Sequence, residues 1–357
     1  MKKLRYLLLI FILLLATFNI GLSKKTTIVY ADTTATISME VSSKRVLSGT
    51  NIHTKKYMAS TTKILTAITI IENCNLDDVV TITAQSVGVE GSSMYLDVGE
   101  NITVKNLLYG LMLRSGNDAA ETLALYCSGS IDKFAELMNL TAKKIGATES
   151  NFVNPHGLHN DDHYTTAYDL ALISCYAIKN ETFKEIVGTK KITIPWTTRD
   201  YERTIINKNK MLFNYDCATG IKTGYTKKAG RCLVSSANRN GMDVVTVVLN
   251  CGNMWEKSAE LLDYSFDNYK MTKLVEADNI LGFIEVENRQ EKCAVITDKD
   301  IVLPLSEQEL LNLNIEYNYP KIINPPLKKE ETVGEIKIYT SNNLIFSQKI
   351  YTIIGIN

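Results

Sequence analysis

The spacing of apolar residues changes repeatedly along this 357-residue chain, and each change predicts a different element. Tyr6 to Leu22 is almost wholly apolar behind Lys2, Lys3 and Arg5, the pattern of an export signal, with small-x-small cut sites at Gly21-Leu22-Ser23 and Val29-Tyr30-Ala31. The stretches Ala35 to Met39 and Val41 to Leu47 read as short strands of a hairpin. Behind Ser60, apolar residues Ile64, Leu65, Ala67, Ile68, Ile70 and Ile71 lie nearly all round one helix, which marks it as buried. Further helices are predicted from Val104 to Leu113, Asp118 to Tyr126 and Ile131 to Lys144. Another runs from Thr166 to Ile178, its start resembling a capping box with Asp169 in place of the usual Glu. The pattern then turns to strands at Gly220 to Tyr225, Cys232 to Ala237 and Val244 to Leu249, with a glycine in each turn. A helix from Trp255 to Tyr269 follows. Helices placed between strands predict an α/β domain, an antiparallel sheet covered by helices.

Beyond Lys273 the pattern becomes all-β. Short strands are expected at Gly282–Glu287, Cys293–Thr297, Leu313–Tyr319, Glu335–Tyr339 and Leu344–Ile350, with Pro304, Pro320, Pro325 and Pro326 between them. The expected organisation is a signal segment over 1–31, an α/β domain over 32–272 and a small all-β domain over 273–357. Thirty-nine basic residues balance 39 acidic ones, and no basic block argues for a nucleic-acid partner. Seven cysteines are scattered, with no C-x-x-C and an odd total, so most read as small buried hydrophobes. One pair among them could be bridged, but the sequence does not say which.

Three short motifs carry the candidate chemistry. They are Ser60-Thr61-Thr62-Lys63, Ser115-Gly116-Asn117 and Lys222-Thr223-Gly224, in that order. Each is weak alone; order, spacing and context give the combination its weight. A hydroxyl needs a base before it becomes a nucleophile. Ser60 and Lys63, three apart at a helix start, share a face and can touch. Lys63 acts as base only when neutral, and lowering an amine by ~3 pH units costs about 4 kcal/mol, which burial and a neighbouring cation can supply. Lys222 is the expected neighbour. Ser115 offers a hydroxyl for proton relay, and Asn117 an amide to grip a substrate carbonyl or orient Lys63. Lys222 and Thr223 suit a substrate carboxylate, while Gly224 lets a peptide approach the strand edge.

These motifs and their surroundings resemble the serine-type D-alanyl-D-alanine carboxypeptidases, the low-molecular-weight penicillin-binding proteins. The resemblance extends through Val89-Glu90-Gly91-Ser92-Ser93, Leu107 to Ala120, Asn154-Pro155-His156-Gly157-Leu158 and Lys222-Thr223-Gly224-Tyr225-Thr226. It implies a β-lactamase/transpeptidase-like domain followed by the small β domain. It also implies an acyl-enzyme on Ser60, with Lys63 as base, Ser115 and Asn117 handling proton transfer and substrate, and Lys222 with Thr223 holding the terminal carboxylate. Backbone N–H groups of Ser60 and Tyr225 would form the oxyanion hole. The implied substrate is a peptidoglycan stem peptide ending in D-Ala-D-Ala; β-lactam antibiotics would acylate the same serine, and neither cofactor nor metal is called for. The implied location is extracytoplasmic. Several family members close with an amphipathic membrane helix, whereas this sequence ends Ile353-Ile354-Gly355-Ile356-Asn357. Membrane association then rests on retention of the N-terminal apolar segment.

Three rival readings bear on the same residues. A class A β-lactamase needs a deacylating glutamate with an asparagine four positions on; Glu149 is the nearest candidate, but Val153 stands in the fourth position. A metallopeptidase could draw on His156, His159, His163, Asp161 and Asp162, yet Pro155, Gly157 and Asn160 break any helix that would align them. Against the metal reading, His156 is expected as a loop residue bracing the active-site wall, and His159 and His163 as surface residues. A catalytically silent penicillin-binding cell-wall protein is the third.

Overall fold

The computed structural model describes residues 33–355, so the apolar leader over 1–31 lies outside the described residues. A five-stranded antiparallel sheet forms the frame of the first domain. Its strands are β1 (Ala35–Glu40), β2 (Val46–Thr50), β3 (Ala218–Thr226), β4 (Gly230–Arg239) and β5 (Met242–Leu249), in the spatial order β2-β1-β5-β4-β3. The β4–β5 turn is a two-residue loop, with Arg239 paired to Met242 and both Asn240 and Gly241 at positive φ. Asn-Gly is the sequence that such a tight hairpin turn favours.

Both faces of the sheet are buried. Val245, Val247 and Leu249 of β5 join the large core, while Val244 and Val248 join a second core on the opposite face. Alternation along one strand therefore feeds two cores, and helices must cover both sides. The second core is covered by a helix Met254–Asn268. The large core is covered by α1 (Lys63–Asn73), α2 (Val104–Tyr109), α3 (Asn117–Ser128), α4 (Ile131–Ile145), α5 (Ala167–Ala177) and α6 (Glu181–Gly188). The Met254–Asn268 helix is named α7 below.

Several elements differ from the sequence expectation for identifiable reasons. The second strand of the first hairpin begins at Val46, not Val41, because the buried Glu40 carboxylate gathers the backbone N–H and hydroxyl groups of Ser42 and Ser43 into a turn. Ser60 lies in a 3-10 turn, Ala59–Thr62, and the α-helix proper starts at Lys63. The helix expected to reach Leu113 changes at Gly110 into a π-helical turn, Gly110–Arg114, which leaves Ser115 left-handed at φ 64°. At α5 only half a capping box forms: Thr166 accepts from the Asp169 N–H, but the Asp169 carboxylate turns to the Glu149 N–H and the Ser150 hydroxyl. The helix Glu181–Gly188 and the hairpin Lys191–Ile194 with Arg203–Ile206 were not anticipated.

The strand Lys270–Val275 follows α7 and pairs antiparallel with Ile301–Leu305. Beyond it a six-stranded sheet packs Ile284, Val295, Ile336, Ile338 and Ile350 into a core of its own, together with Leu303 and Leu305. The two domains meet at Arg45, in the β1–β2 turn, which donates to the Pro304 carbonyl and the Glu309 carboxylate. Its guanidinium also lies 5.6 Å from the centre of the Tyr269 ring. Among the described residues no helix is long and apolar enough to cross a membrane.

Candidate active site

The turn that carries Ser60 is held from three directions. Inside it, Thr61 donates to the Met58 carbonyl, and Thr62 donates to the Ala59 carbonyl at 2.8 Å. Ala59 itself sits at φ 49°, a left-handed conformation that a residue with a Cβ seldom adopts. Behind the turn, Gly157 passes so close that a Cβ there would stand 1.9 Å from the Ala59 carbonyl oxygen. In front, a Cβ on Gly224 would lie 2.9 Å from the Ser60 nitrogen. Gly224 thus lets edge strand β3 press directly on the backbone of the nucleophile.

Lys63 is fully buried at the start of α1, and its amine has three neighbours. Its Nζ stands 3.1 Å from Ser60 Oγ, 2.7 Å from Asn117 Oδ1 and 2.7 Å from the His156 carbonyl. Burial, then the nearby charges of Lys222 and Lys208, pushes its pKa well below that of a free lysine, with Asp118 opposing only weakly. A neutral amine has two hydrogens and one lone pair. The two oxygens at 2.7 Å are pure acceptors with room for both hydrogens, so an uncharged Lys63 amine would turn its lone pair to the Ser60 hydroxyl.

A second lysine faces a second serine. Lys222 Nζ donates to Ser115 Oγ at 3.0 Å and to the Thr223 carbonyl at 3.0 Å. Its pKa is lowered to about 7, by burial first and Lys208 second. The π-turn gives Ser115 the left-handed backbone from which its hydroxyl meets Lys222. Asn117, at the start of α3, donates through Nδ2 to the Glu90 carbonyl while its Oδ1 receives Lys63. Next to it, buried Asp118 accepts from the Ser93 hydroxyl and the Met94 and Leu96 N–H groups, which ties the 93–96 loop to α3.

These groups open into a cleft of 440 Å³ along β3, lined by Ser60, Ser115, Thr223, Gly224 and Tyr225. The eight residues expected from the sequence are therefore in one place: five line the cleft, and Lys63, Lys222 and Asn117 join it through hydrogen bonds to each other or to Ser60 and Ser115. Sequence reading missed the other wall. Ser92, Lys208, Arg231, Met254 and Trp255 line it, from a loop, the segment after a hairpin, β4 and the start of α7. Ser92 falls within the Val89–Ser93 stretch of resemblance, but the other four carry no local motif, and only the fold brings them together.

The histidines are also placed. His156 is buried and its pKa is lowered to about 3, mainly by burial and by Lys63. Its Nδ1 accepts from the Leu158 N–H at 3.1 Å, which leaves Nε2 protonated towards Glu121 at 3.3 Å. His163, expected on the surface, is buried instead. Its Nδ1 accepts from the Val153 N–H, and its Nε2 meets the Thr62 hydroxyl at 2.8 Å. Edge-on packing against Phe152 explains why an imidazole in a polar stretch turns inward. The His163 ring braces the turn that carries Ser60 from behind, through Thr62. Glu149 lies outside the cleft, 2.7 Å from His53 Nδ1 on the protein surface.

A buried serine–lysine pair, a second serine–lysine pair and an open strand edge define a serine acyl-transferring enzyme with an amine base. The family described as D-alanyl-D-alanine carboxypeptidase matches residues 23–253, and the C-terminal domain of penicillin-binding protein 5 matches residues 269–353. The chain belongs to the D-alanyl-D-alanine carboxypeptidase family, the low-molecular-weight penicillin-binding proteins. It is 29% identical over 350 residues to D-alanyl-D-alanine carboxypeptidase DacF of Bacillus subtilis, covering 94% of this chain and 90% of the relative. A Streptomyces K15 D-alanyl-D-alanine carboxypeptidase is 36% identical over 243 residues, 61% of this chain and 84% of the relative. Among solved structures, penicillin-binding protein 5 from Haemophilus influenzae superposes with a TM-score of 0.80 at 26% identity, over 90% of this chain and 96% of that one.

Proposed function

We propose that the protein removes the terminal D-alanine from peptidoglycan stem peptides ending in D-Ala-D-Ala, through an acyl-enzyme on Ser60, and that β-lactams acylate the same residue. One observation carries this reading: the buried Lys63 amine stands 3.1 Å from Ser60 Oγ, with two fixed acceptors, Asn117 Oδ1 and the His156 carbonyl, each at 2.7 Å. As Oγ attacks the penultimate carbonyl, its proton passes to Lys63. The carbonyl oxygen becomes an oxyanion, received by the backbone N–H groups of Ser60 and Tyr225, a preorganised pair of the kind worth a few kcal/mol. Lys63 then gives that proton up, relayed by the Ser115 hydroxyl that Lys222 holds, to the departing nitrogen; the C–N bond breaks, D-alanine leaves and Lys63 is neutral again. Water attacks the ester, giving its proton to Lys63, which passes it to Ser60 Oγ as the acyl–oxygen bond breaks. Asn117 holds the amine in place and offers its amide to the substrate. Thr223 and Lys222 lie where the terminal carboxylate is expected, and Gly224 with Tyr225 presents the strand edge along which an extended peptide can bind. The substrate polymer and the apolar leader expected over 1–31 support a site of action outside the cytoplasmic membrane.

The test uses the purified protein with an acylated L-Lys-D-Ala-D-Ala tripeptide. D-alanine is released by the wild type and not by Ser60→Ala, and a benzylpenicillin adduct maps to Ser60 by mass spectrometry. Covalent labelling by penicillin without any D-alanine release would mark a silent binding protein. A β-lactam adduct on another residue would overturn the assignment.

A further inference from the structure

The anion-receiving end of the cleft holds a positive charge that the motifs do not include. Arg231 lies on β4 directly opposite Tyr225 of edge strand β3, and cross-strand partners in register point their side chains to the same face. Thr223, two residues before Tyr225, is on that face too. The three side chains line one cleft with Ser60. Arg231 is exposed, and among the described residues no carboxylate forms an ion pair with it. Among the described residues no acidic side chain lines the cleft. An arginine without a counter-charge in the cleft that Ser60 lines suits a carboxylate, which its planar fork can receive through two parallel hydrogen bonds.

Lys222 cannot fill that role alone. It is buried, two of its hydrogens are already committed to Ser115 and the Thr223 carbonyl, and near neutral pH it is only partly charged. Lys208 stands at the cleft too, but its amine is bonded to the Ser92 hydroxyl at 3.1 Å, and burial and Arg114 lower its pKa.

We propose that Arg231 is a substrate-positioning residue that receives the free terminal carboxylate of the peptide, beside Thr223, and so sets the preference for a chain end over an internal bond. This rests on the carboxypeptidase reading above. It assigns Lys222 chiefly to Ser115 and proton transfer, and gives the fixed charge of recognition to a neighbouring strand.

The experiment compares kcat/KM for the acylated L-Lys-D-Ala-D-Ala tripeptide with that for its C-terminal carboxamide, in the wild type, Arg231→Leu and Arg231→Lys. The acid-to-amide ratio falls about tenfold or more in Arg231→Leu, the effect of losing one charged hydrogen-bond partner. Arg231→Lys restores it in part, because the charge remains and the fork does not. Above pH 8 the loss in Arg231→Leu deepens, since Lys222 is then neutral and cannot compensate. Where the amide is turned over too slowly to measure, second-order acylation by benzylpenicillin against its methyl ester gives the same ratio. An unchanged ratio in Arg231→Leu, or an equal fall with acid and amide, overturns the inference. Because D-alanine release by the wild type is measured in the same series, that outcome stays distinct from failure of the carboxypeptidase reading.

Discussion

Lys222 is fully buried with only neutral partners, and an amine in that position weakens the fold it serves. The unfolded chain binds a proton at Lys222 up to about pH 10, whereas the folded protein releases it near pH 7. Below the unfolded pKa this difference destabilises the native state, and the penalty grows as pH falls to about 7, where it approaches 4 kcal/mol. Lys222→Met therefore raises the melting temperature at pH 7, by roughly 2–4 °C for each kcal/mol recovered. The gain shrinks towards pH 10, and acylation by benzylpenicillin is lost at both. Differential scanning calorimetry at the two pH values, with acylation rates alongside, checks both halves. The thiols show the same logic on a smaller scale. Cys74 and Cys127 share a hydrogen bond that raises the first and lowers the second to about 7. Iodoacetamide at pH 7.5 is expected to modify Cys127 before any other cysteine, as peptide mapping after brief labelling would show; prior labelling at Cys232 or Cys175 contradicts it. At this scale the sequence was most readable where chemistry is local. Ser60 and Lys63 are neighbours on one turn and needed no fold to find each other. His163 was misread because Asn160, Asp161 and Asp162 around it are polar, and only the distant Phe152 shows that its ring is covered.

Between elements, the site depends on close approach. Strand β3 reaches the nucleophile turn only because Gly224 has no side chain to hold it off. Gly224→Ala is expected to force the edge strand away from Ser60 by a few tenths of an ångström or more. A misplacement of that kind costs up to about a hundredfold in rate even where folding is intact. The measurement is the benzylpenicillin acylation rate together with far-UV circular dichroism; a normal spectrum with a normal rate would contradict the role given to Gly224. Helices and strands of the frame were largely legible, since their apolar periods are long and regular. Element ends were not. The π-turn at Gly110–Arg114 and the 3-10 turn at Ala59–Thr62 look helical in sequence, and packing selects their tighter or wider winding. The cleft wall of Lys208, Arg231 and Trp255 was invisible for another reason: these residues come from separate elements that meet only in the folded domain.

Across the whole molecule, Arg45 is the polar link from the first domain to the second: it reaches the Pro304 carbonyl and the Glu309 carboxylate. Next to it, Lys270 at the start of the joining strand stands 3.7 Å from Glu307, and the Tyr269 ring lies under the Arg45 guanidinium. The catalytic cleft lies in the first domain, at the edge of a sheet with cores on both faces. A Streptomyces K15 DD-transpeptidase structure superposes on 65% of this chain while 97% of that chain is covered, so a relative of this fold stands without the second domain. A protein ending at Tyr269 should accordingly keep benzylpenicillin acylation at Ser60 and lose melting temperature, because Arg45 and Tyr269 become solvated. Loss of acylation in a protein that still unfolds cooperatively would tie the β domain to the chemistry.

The left-handed Ala59 immediately before Ser60 has a further consequence. An L-residue in that conformation holds about 1 kcal/mol or more of backbone energy, retained because Thr62, Gly157 and β3 leave it no other shape. A hinge kept tensioned in the resting enzyme need not rearrange when a bond forms at its neighbour, so the turn behaves as a cocked latch, and the same rigidity that speeds attack by a substrate leaves an antibiotic's ester with nowhere to swing aside.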